Sequence, residues 1–79
     1  MGKRRARADI RERFGTVVKF RREALGRTQE DLAAAAGIHR TYLSDVERGS
    51  RNPSLVVLEK LAAALSWSLA ELFEGIETA

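Results

Sequence analysis

The chain has 79 residues, 44% hydrophobic and 32% charged, which is typical of one small folded domain and excludes a disordered chain. It has no cysteine and a single histidine, so a disulfide framework, a thiolate site and a multi-histidine site are excluded, and no metal or other cofactor is expected. The net charge is +3, no apolar run approaches the roughly 18 residues that span a bilayer, and the N-terminus lacks the apolar segment of a signal peptide, which indicates a cytoplasmic protein.

The first eight residues form a predicted flexible basic arm, and a single domain is predicted over residues 9–79. Residues 1–13 contain six Lys or Arg and two acidic residues, whereas residues 14–79 contain eight and nine. A basic arm favours an acidic partner, either nucleic acid or an anionic membrane surface, and the alternative is a solubilising tail. A membrane role would need Phe, Leu or Trp among residues 1–9, where the sequence has none, so no membrane partner is expected.

Two helices are predicted in the first half of the chain. The first opens at Asp9, whose spacing to Glu12 is that of a capping box. Its apolar stripe consists of Ile10, Phe14, Val17, Val18, Ala24 and Leu25. The second opens at Thr28 and is short, and Asp31 is expected to be a weaker capping partner there than Glu would be.

Three further helices are predicted in the second half. The third spans about residues 40–48, the fourth begins at residue 54 or 55, and a capping box between Ser68 and Glu71 starts the fifth. The core face of the fourth helix consists of Leu55, Leu58, Leu61, Ala62 and Leu65. Because no run rich in Val, Ile and Thr alternates with polar residues, the sequence predicts a compact all-α fold of five helices.

Residues 29–48 have the spacing of a helix-turn-helix, in which two short helices are separated by a sharp turn. Gly37 can take the positive φ that such a turn needs, and Ala33 is small where the two helices are expected to cross. Leu43 and Val46 share one face of the third helix and are predicted to fill the space between the helices.

With the apolar side of the third helix buried, its other side carries Arg40, Thr41 and Ser44 outwards as a row of hydrogen-bond donors. Arg can bind O6 and N7 of guanine together, and Thr can donate to a base or contact a thymine methyl group, so the row suits the major groove of DNA. Gln29, in the first turn of the second helix, is placed to contact a phosphate.

Several motifs resemble the phage-repressor and Cro type of helix-turn-helix regulators. They are Arg22…Gly26, Thr28-Gln29-Glu30-Asp31-Leu32-Ala33, Gly37-Ile38, Tyr42-Leu43-Ser44, Val46-Glu47-Arg48-Gly49, Asn52-Pro53-Ser54 and Leu58…Leu61-Ala62…Leu65. The resemblance covers about residues 14–73 and implies a lambda-repressor-like domain that binds a near-palindromic operator in double-stranded DNA as a homodimer and regulates transcription. The triplet Arg40-Thr41-Tyr42 and residues 50–54 are also similar to the controller proteins of restriction–modification systems.

The resemblance also implies the positions that contact DNA. Carried over by position, they are Gln29, Arg40, Thr41, Ser44, Arg51 and Asn52. We expect Arg40, Thr41 and Ser44 to read bases and the others to contact phosphates. Arg22 and Glu47 are expected to form an ion pair that locks the first helix to the end of the third.

Three other side chains of the third helix have open roles. Tyr42 is predicted to be half-buried, with a hydroxyl group that either reaches a phosphate or does not. Arg48 either contacts DNA, stabilises the C-terminus of the helix or lies in water. Asp45 is interpreted as part of a solvated acidic edge.

Removal of residues 1–8 is expected to weaken DNA binding without changing the preferred site.

Four apolar residues near the C-terminus either close the core or form a dimer interface, or do both: Trp67, Leu69, Phe73 and Ile76. Two residues depart from the family pattern. Arg27 stands where relatives usually have an apolar residue, and Phe20 either covers part of the core or is an exposed contact surface.

The sequence contains no carboxylate pair beside a nucleophile or base, so an enzyme is not expected. The alternative to a DNA-binding regulator is an antitoxin-like or adaptor module that binds protein through the same fold. The polar row on the third helix favours DNA, because an apolar row would suit a protein partner. No small-molecule effector is evident, since the chain has no room for a separate ligand domain.

Overall fold

The computed structural model describes residues 8–79, which fold into five α-helices with no strand among them. The helices are α1 (Ile10–Ala24), α2 (Gln29–Ala36), α3 (Arg40–Glu47), α4 (Leu55–Ala64) and α5 (Leu69–Thr78). The predicted all-α class and helix order are confirmed. The predicted basic arm, residues 1–8, lies outside the described residues except for Ala8. None of the described helices is long and apolar enough to cross a membrane.

Helices α2 and α5 both begin with a complete capping box. The Thr28 hydroxyl accepts a hydrogen bond from the Asp31 amide at 3.0 Å, and the Asp31 carboxylate accepts one from the Thr28 amide at 3.1 Å. These bonds hold the pKa of Asp31 below its usual value. Ser68 and Glu71 form the same reciprocal pair at the start of α5. The shorter Asp side chain therefore closes the box as fully as Glu does.

The start of α1 differs from its prediction. Asp9 caps the helix by accepting a hydrogen bond from the Arg11 amide at 2.8 Å, so the predicted capping box with Glu12 is wrong. The same carboxylate pairs with the Arg11 guanidinium at 2.9 Å, and this hydrogen bond lowers the pKa of Asp9 from 3.8 to about 2. The Asp9 carboxylate binds the Arg11 guanidinium in place of the Glu12 amide, because a charged donor forms a stronger hydrogen bond than a neutral one.

The turn between α2 and α3 sets the angle of the helix-turn-helix. Gly37 adopts φ +70°, and its amide donates to the Ala34 carbonyl at 3.2 Å. The Ile38 amide donates to the Ala33 carbonyl at 3.0 Å, which satisfies the last carbonyls of α2. The chain therefore reverses within three residues, and α3 begins at Arg40.

All five helices contribute to the hydrophobic core. Its buried residues are Phe14, Val17, Val18, Leu32, Ala33, Ala36, Leu43, Val46, Leu61, Ala62, Ala64, Leu65, Leu72 and Ile76. Four residues predicted to be in core faces are instead exposed: Ile10, Ala24, Leu25 and Leu55. They lie in the terminal turns of α1 and α4 or just beyond, and a helical pattern alone does not show where a helix projects past its neighbours.

Candidate nucleic-acid interface

Helix α3 has one apolar side and one polar side. Leu43 and Val46 are buried against the other helices, so Arg40 and Thr41 face outwards. Both polar side chains are exposed, and within residues 8–79 neither forms an ion pair or a side-chain hydrogen bond. Their donors therefore remain free for an external acceptor.

A glycine on α1 allows α3 to pack closely. Gly15 is buried, and a Cβ atom placed there would lie 2.4 Å from the Val46 carbonyl oxygen and 2.6 Å from that of Glu47. Such contacts cannot be relieved by a side-chain rotation, because the crowded atoms are backbone. Gly15 was not among the residues predicted to position the site, although a glycine inside a predicted helix costs stability and usually has a packing reason.

The C-terminal end of α3 is held by an inner cluster, which we define as Arg22, Gln29 and Glu47. Arg22 donates from Nε to Oε2 of Glu47 at 2.7 Å and from Nη2 to Oε1 at 3.0 Å. The ion pair that the resemblance implies is therefore present. Gln29 Nε2 donates to the same Oε1 at 2.9 Å. The hydrogen bonds that Arg22 donates to Glu47 raise the pKa of Arg22 above its usual value, so the guanidinium group stays charged although it is largely buried.

Arg27, which departs from the family pattern, joins the start of α2 to the rest of the fold. Its Nη1 donates to the Ala64 carbonyl at the end of α4 at 3.0 Å. Its own carbonyl accepts from Nη1 of Arg22 at 2.8 Å. The long side chain thus replaces an apolar contact by a hydrogen bond to a helix C-terminus, where a positive charge is favourable.

The exposed side of α3 carries an outer cluster, which we define as Asp45, Arg48 and Arg51. Asp45 accepts hydrogen bonds from both guanidinium groups. Arg48 also donates to the Ser44 hydroxyl at 2.7 Å, and the Arg51 guanidinium lies 5.1 Å from the ring centre of the half-buried Tyr42. The interpretation of Asp45 as a simple solvated edge is therefore wrong, because it organises two predicted DNA-contacting residues.

Two remaining polar residues of the region are less constrained. Asn52 is exposed and lines a shallow apolar depression together with Ile10 and Phe73. His39 is the N-cap residue of α3 but its side chain forms no capping hydrogen bond. Among residues 8–79, no three His, Asp or Glu side chains are grouped so that they could hold a metal ion.

The four predicted interface residues near the C-terminus separate into different environments. Ile76 is buried in the core, so of the roles predicted for it the structure supports closing the core. Trp67 is half-buried, with the Arg21 guanidinium 4.8 Å from its ring centre. Leu69 is half-buried, and Phe73, one turn further along α5, is exposed.

Two groups of exposed apolar residues stand out within residues 8–79. The α4–α5 surface consists of Leu55, Val56, Leu69 and Phe73, of which Leu55 is 74% exposed. Its residues Leu55, predicted to be in the core, and Val56, not predicted at all, lie in the first turn of α4. Phe20 is 72% exposed on α1 and lines a separate groove with Trp67, so it does not cover the core.

A family model described as helix-turn-helix matches residues 18–72. This chain belongs to the helix-turn-helix family. Control protein C.MunI of a Mycoplasma species is 49% identical over 70 residues, which cover 87% of this chain and 95% of that protein. Both helices of the helix-turn-helix, and the inner and outer clusters, lie within the matched residues of the family model.

Solved structures of restriction–modification controller proteins have the same fold as this helix-turn-helix chain. C.AhdI from Aeromonas hydrophila is 46% identical with a TM-score of 0.77, over 80% of this chain and 96% of that one. C.Esp1396I, solved as a tetramer in complex with its natural 35 base-pair operator, is 35% identical with a TM-score of 0.83, over 91% and 95% of the two chains.

Proposed function

We propose that the protein is a sequence-specific, DNA-binding transcription regulator of the restriction–modification controller type. The observation that carries this proposal is the exposed side of α3, where Arg40 and Thr41 have no side-chain partner among residues 8–79 while the opposite side is anchored in the core. A rigid helix that presents unpaired donors fits the major groove, where base edges carry acceptors. The similarity to controller proteins supports the same reading.

In this proposal, Arg40 and Thr41 read base edges from the N-terminal half of α3. Ser44 contributes through its hydroxyl group, which accepts from Arg48 and keeps its own hydrogen for an external acceptor. Gln29 gives one amide hydrogen to Glu47, which leaves the second for a phosphate. Phosphate contacts by Arg48, Arg51, Asn52 and the Tyr42 hydroxyl would fix the position of α3 along the duplex; those four side chains are exposed or half-buried.

The α4–α5 surface is the proposed homodimer interface. Leu55, Val56 and Phe73 expose apolar area that a second copy can cover by a two-fold axis. Such a dimer would place its two α3 helices roughly 34 Å apart, in successive major grooves of a near-palindromic operator. This proposal replaces Trp67 and Ile76 by Leu55 and Val56 as interface residues.

An activity other than regulation finds little support. The exposed residues of α3 are polar, whereas an antitoxin-like or adaptor module would use an apolar row to bind a protein. The proposal includes no catalytic activity, no cofactor and no small-molecule effector. It places the protein in the cytoplasm, where the DNA of its bacterial relatives is found.

Selection of bound sites from random DNA duplexes tests the proposal directly. We expect one near-palindromic sequence to be enriched, and a sizing column to give a complex of at least two chains per duplex. Recovery of no preferred site by the wild-type protein would contradict the proposed function.

A pair of matched variants tests the dimer. Leu55→Glu is expected to give a monomer on the sizing column and to weaken binding to the selected site, because a charge in an apolar interface is costly. Phe20→Glu introduces the same charge at an equally exposed aromatic residue in the other groove, and is expected to leave the dimer intact. A dimeric Leu55→Glu protein would remove the α4–α5 surface from the proposal.

A further inference from the structure

An acidic side chain lies in the middle of the surface that is proposed to face DNA. Asp45 comes one helical turn after Thr41 on the same helix, and its side chain is 19% exposed. Oδ1 accepts a hydrogen bond from Nη2 of Arg48. Oδ2 accepts one from Nε of Arg51 at 3.3 Å, and Nη2 of Arg51 lies in ion-pair contact 3.3 Å from the same oxygen. A carboxylate here is unfavourable for attraction to phosphates, because like charges repel.

Each of the two guanidinium groups also has a second contact. Nη1 of Arg48 donates to the Ser44 hydroxyl at 2.7 Å, and the Arg51 guanidinium lies over the Tyr42 ring. The carboxylate of Asp45 therefore holds both groups in defined orientations relative to α3. Orientation matters for a bidentate contact, in which a guanidinium group donates two parallel hydrogen bonds to one phosphate at a fixed place on the duplex, whereas non-specific attraction to phosphates needs only charge and proximity.

The Asp45 carboxylate affects binding to random duplex and binding to the operator differently. Binding to random duplex grows with the number of phosphates that basic side chains neutralise and with the counterions released. Arg48 and Arg51 neutralise less phosphate charge while both are paired with the Asp45 carboxylate. Correct orientation, in contrast, benefits only the duplex whose base edges and backbone match the protein.

We propose that Asp45 is a specificity-determining residue, which lowers affinity for random duplex and orients Arg48 and Arg51 for the operator. This inference rests on the proposed function, since it presupposes that α3 faces DNA. Asp45 acts through the two arginines and need not touch a base itself.

The test compares affinities of wild type and Asp45→Asn for the selected site and for a random duplex of equal length, across a range of salt concentrations. Asn keeps the shape and an acceptor but removes the charge. We expect affinity for random duplex to rise about fivefold, the scale of releasing exposed ion pairs, while affinity for the selected site changes less than about twofold. The slope of log affinity against log salt on random duplex should steepen by about 0.9 for each phosphate gained.

Two further variants separate charge at this position from net charge and from shape. Glu74→Gln on α5 removes one negative charge from an exposed residue that belongs to neither cluster, and is expected to leave the ratio of the two affinities unchanged. Asp45→Glu keeps the charge, and is expected to keep random-duplex binding as weak as in the wild type. An Asp45→Glu protein that binds random duplex as tightly as Asp45→Asn would overturn the role of the charge.

The outcomes distinguish this inference from the proposed function. If the wild type selects a site but the affinity ratio of Asp45→Asn equals that of the wild type, this inference alone is wrong. If the wild type selects no site, the proposed function fails and this inference fails with it. Circular dichroism of the Asp45 variants confirms that any change in ratio comes from a folded protein.

Discussion

Two carboxylates on α3, Asp45 and Glu47, each hold two partners on opposite sides of the same helix. Glu47 belongs to the inner cluster, where its side chain is 4% exposed and that of Arg22 is 10% exposed. Asp45 belongs to the outer cluster, where the Arg48 and Arg51 side chains are 65% and 50% exposed. The chemical groups are alike, so the difference between the two clusters comes from burial and from where the partners lie in the chain.

The partners of the inner cluster come from other helices, whereas those of the outer cluster follow Asp45 within six residues. A buried cation that loses its partner stays largely unhydrated, which is unfavourable, whereas an exposed cation is hydrated by solvent. We infer that the inner cluster fixes where α3 lies and that the outer cluster adjusts how its surface meets DNA.

Glu47→Ala should destabilise the protein by about 3–5 kcal/mol, because it removes the hydrogen-bonded counter-charge of the buried Arg22 guanidinium and leaves only the exposed Glu23 carboxylate 4.0 Å away. Asp45→Ala, which breaks the exposed pairs, should cost less than about 1 kcal/mol. Urea denaturation of both variants provides the comparison. A double variant, Arg22→Met with Glu47→Leu, should recover much of the lost stability, since it removes both charges from the interior. Equal losses for the two single variants would contradict the division between the clusters.

Gly15→Ala should cost about 2–3 kcal/mol, since its Cβ would overlap backbone oxygen atoms of α3 and force the two helices apart. Gly75→Ala is the matched control, because that Cβ would meet a Val17 methyl group at 3.0 Å rather than backbone. Thermal unfolding should show a clearly lower midpoint for Gly15→Ala than for Gly75→Ala. The reverse order would show that the close approach of α1 and α3 is not what holds α3 in place.

Arg40→Ala should weaken binding to the selected site by about 1–3 kcal/mol and relax the preference at one base position. Its unfolding free energy should stay near that of the wild type, because Arg40 is exposed and has no partner among the described residues. Lys19→Ala, which removes a positive charge from the exposed part of α1, serves as the control. An equal loss of affinity for selected and random duplexes would exclude base reading by Arg40.

The smallest effect concerns the exposed carboxylate of Asp9, whose pKa falls from 3.8 to about 2 in the folded state. A lowered pKa contributes stability that is present above pH 3.8 and is lost as the pH falls towards 2. The wild type should therefore be slightly more stable than Asp9→Asn at pH 6, and the difference should vanish near pH 2. A difference that persists at the lower pH would mean that the charge of Asp9 plays no part in capping α1.

The helices, their order and the helix-turn-helix could be predicted because their signals are local. Ser68 and Glu71 lie three residues apart, and Gly37 takes its positive φ within a single turn. The core was predictable from periodicity wherever a helix is covered along its length, as at Leu43 and Val46. It was not predictable at helix ends, where exposure of Ile10 depends on how far the neighbouring helices extend.

The site was predictable in its residue types more than in its contacts. The outward position of Arg40 and Thr41 follows from helical geometry once the opposite side is apolar. The bond between Gln29 and Glu47 joins residues 18 apart, and the role of Asp45 depends on a loop that folds back from α3 to bring Arg51 to it. Neither contact has a sequence spacing that identifies it.

Five helices, a sharp turn at Gly37 and a polar row on one side of the third helix follow from the sequence, because each depends on interactions within a few residues. The packing of α3 against the bare backbone at Gly15, the burial of Glu47 with Arg22 and the pairing of Asp45 with two arginines are visible only in the folded molecule. Burial and charge pairing depend on distances between segments remote in sequence, and these distances are set only when the helices pack.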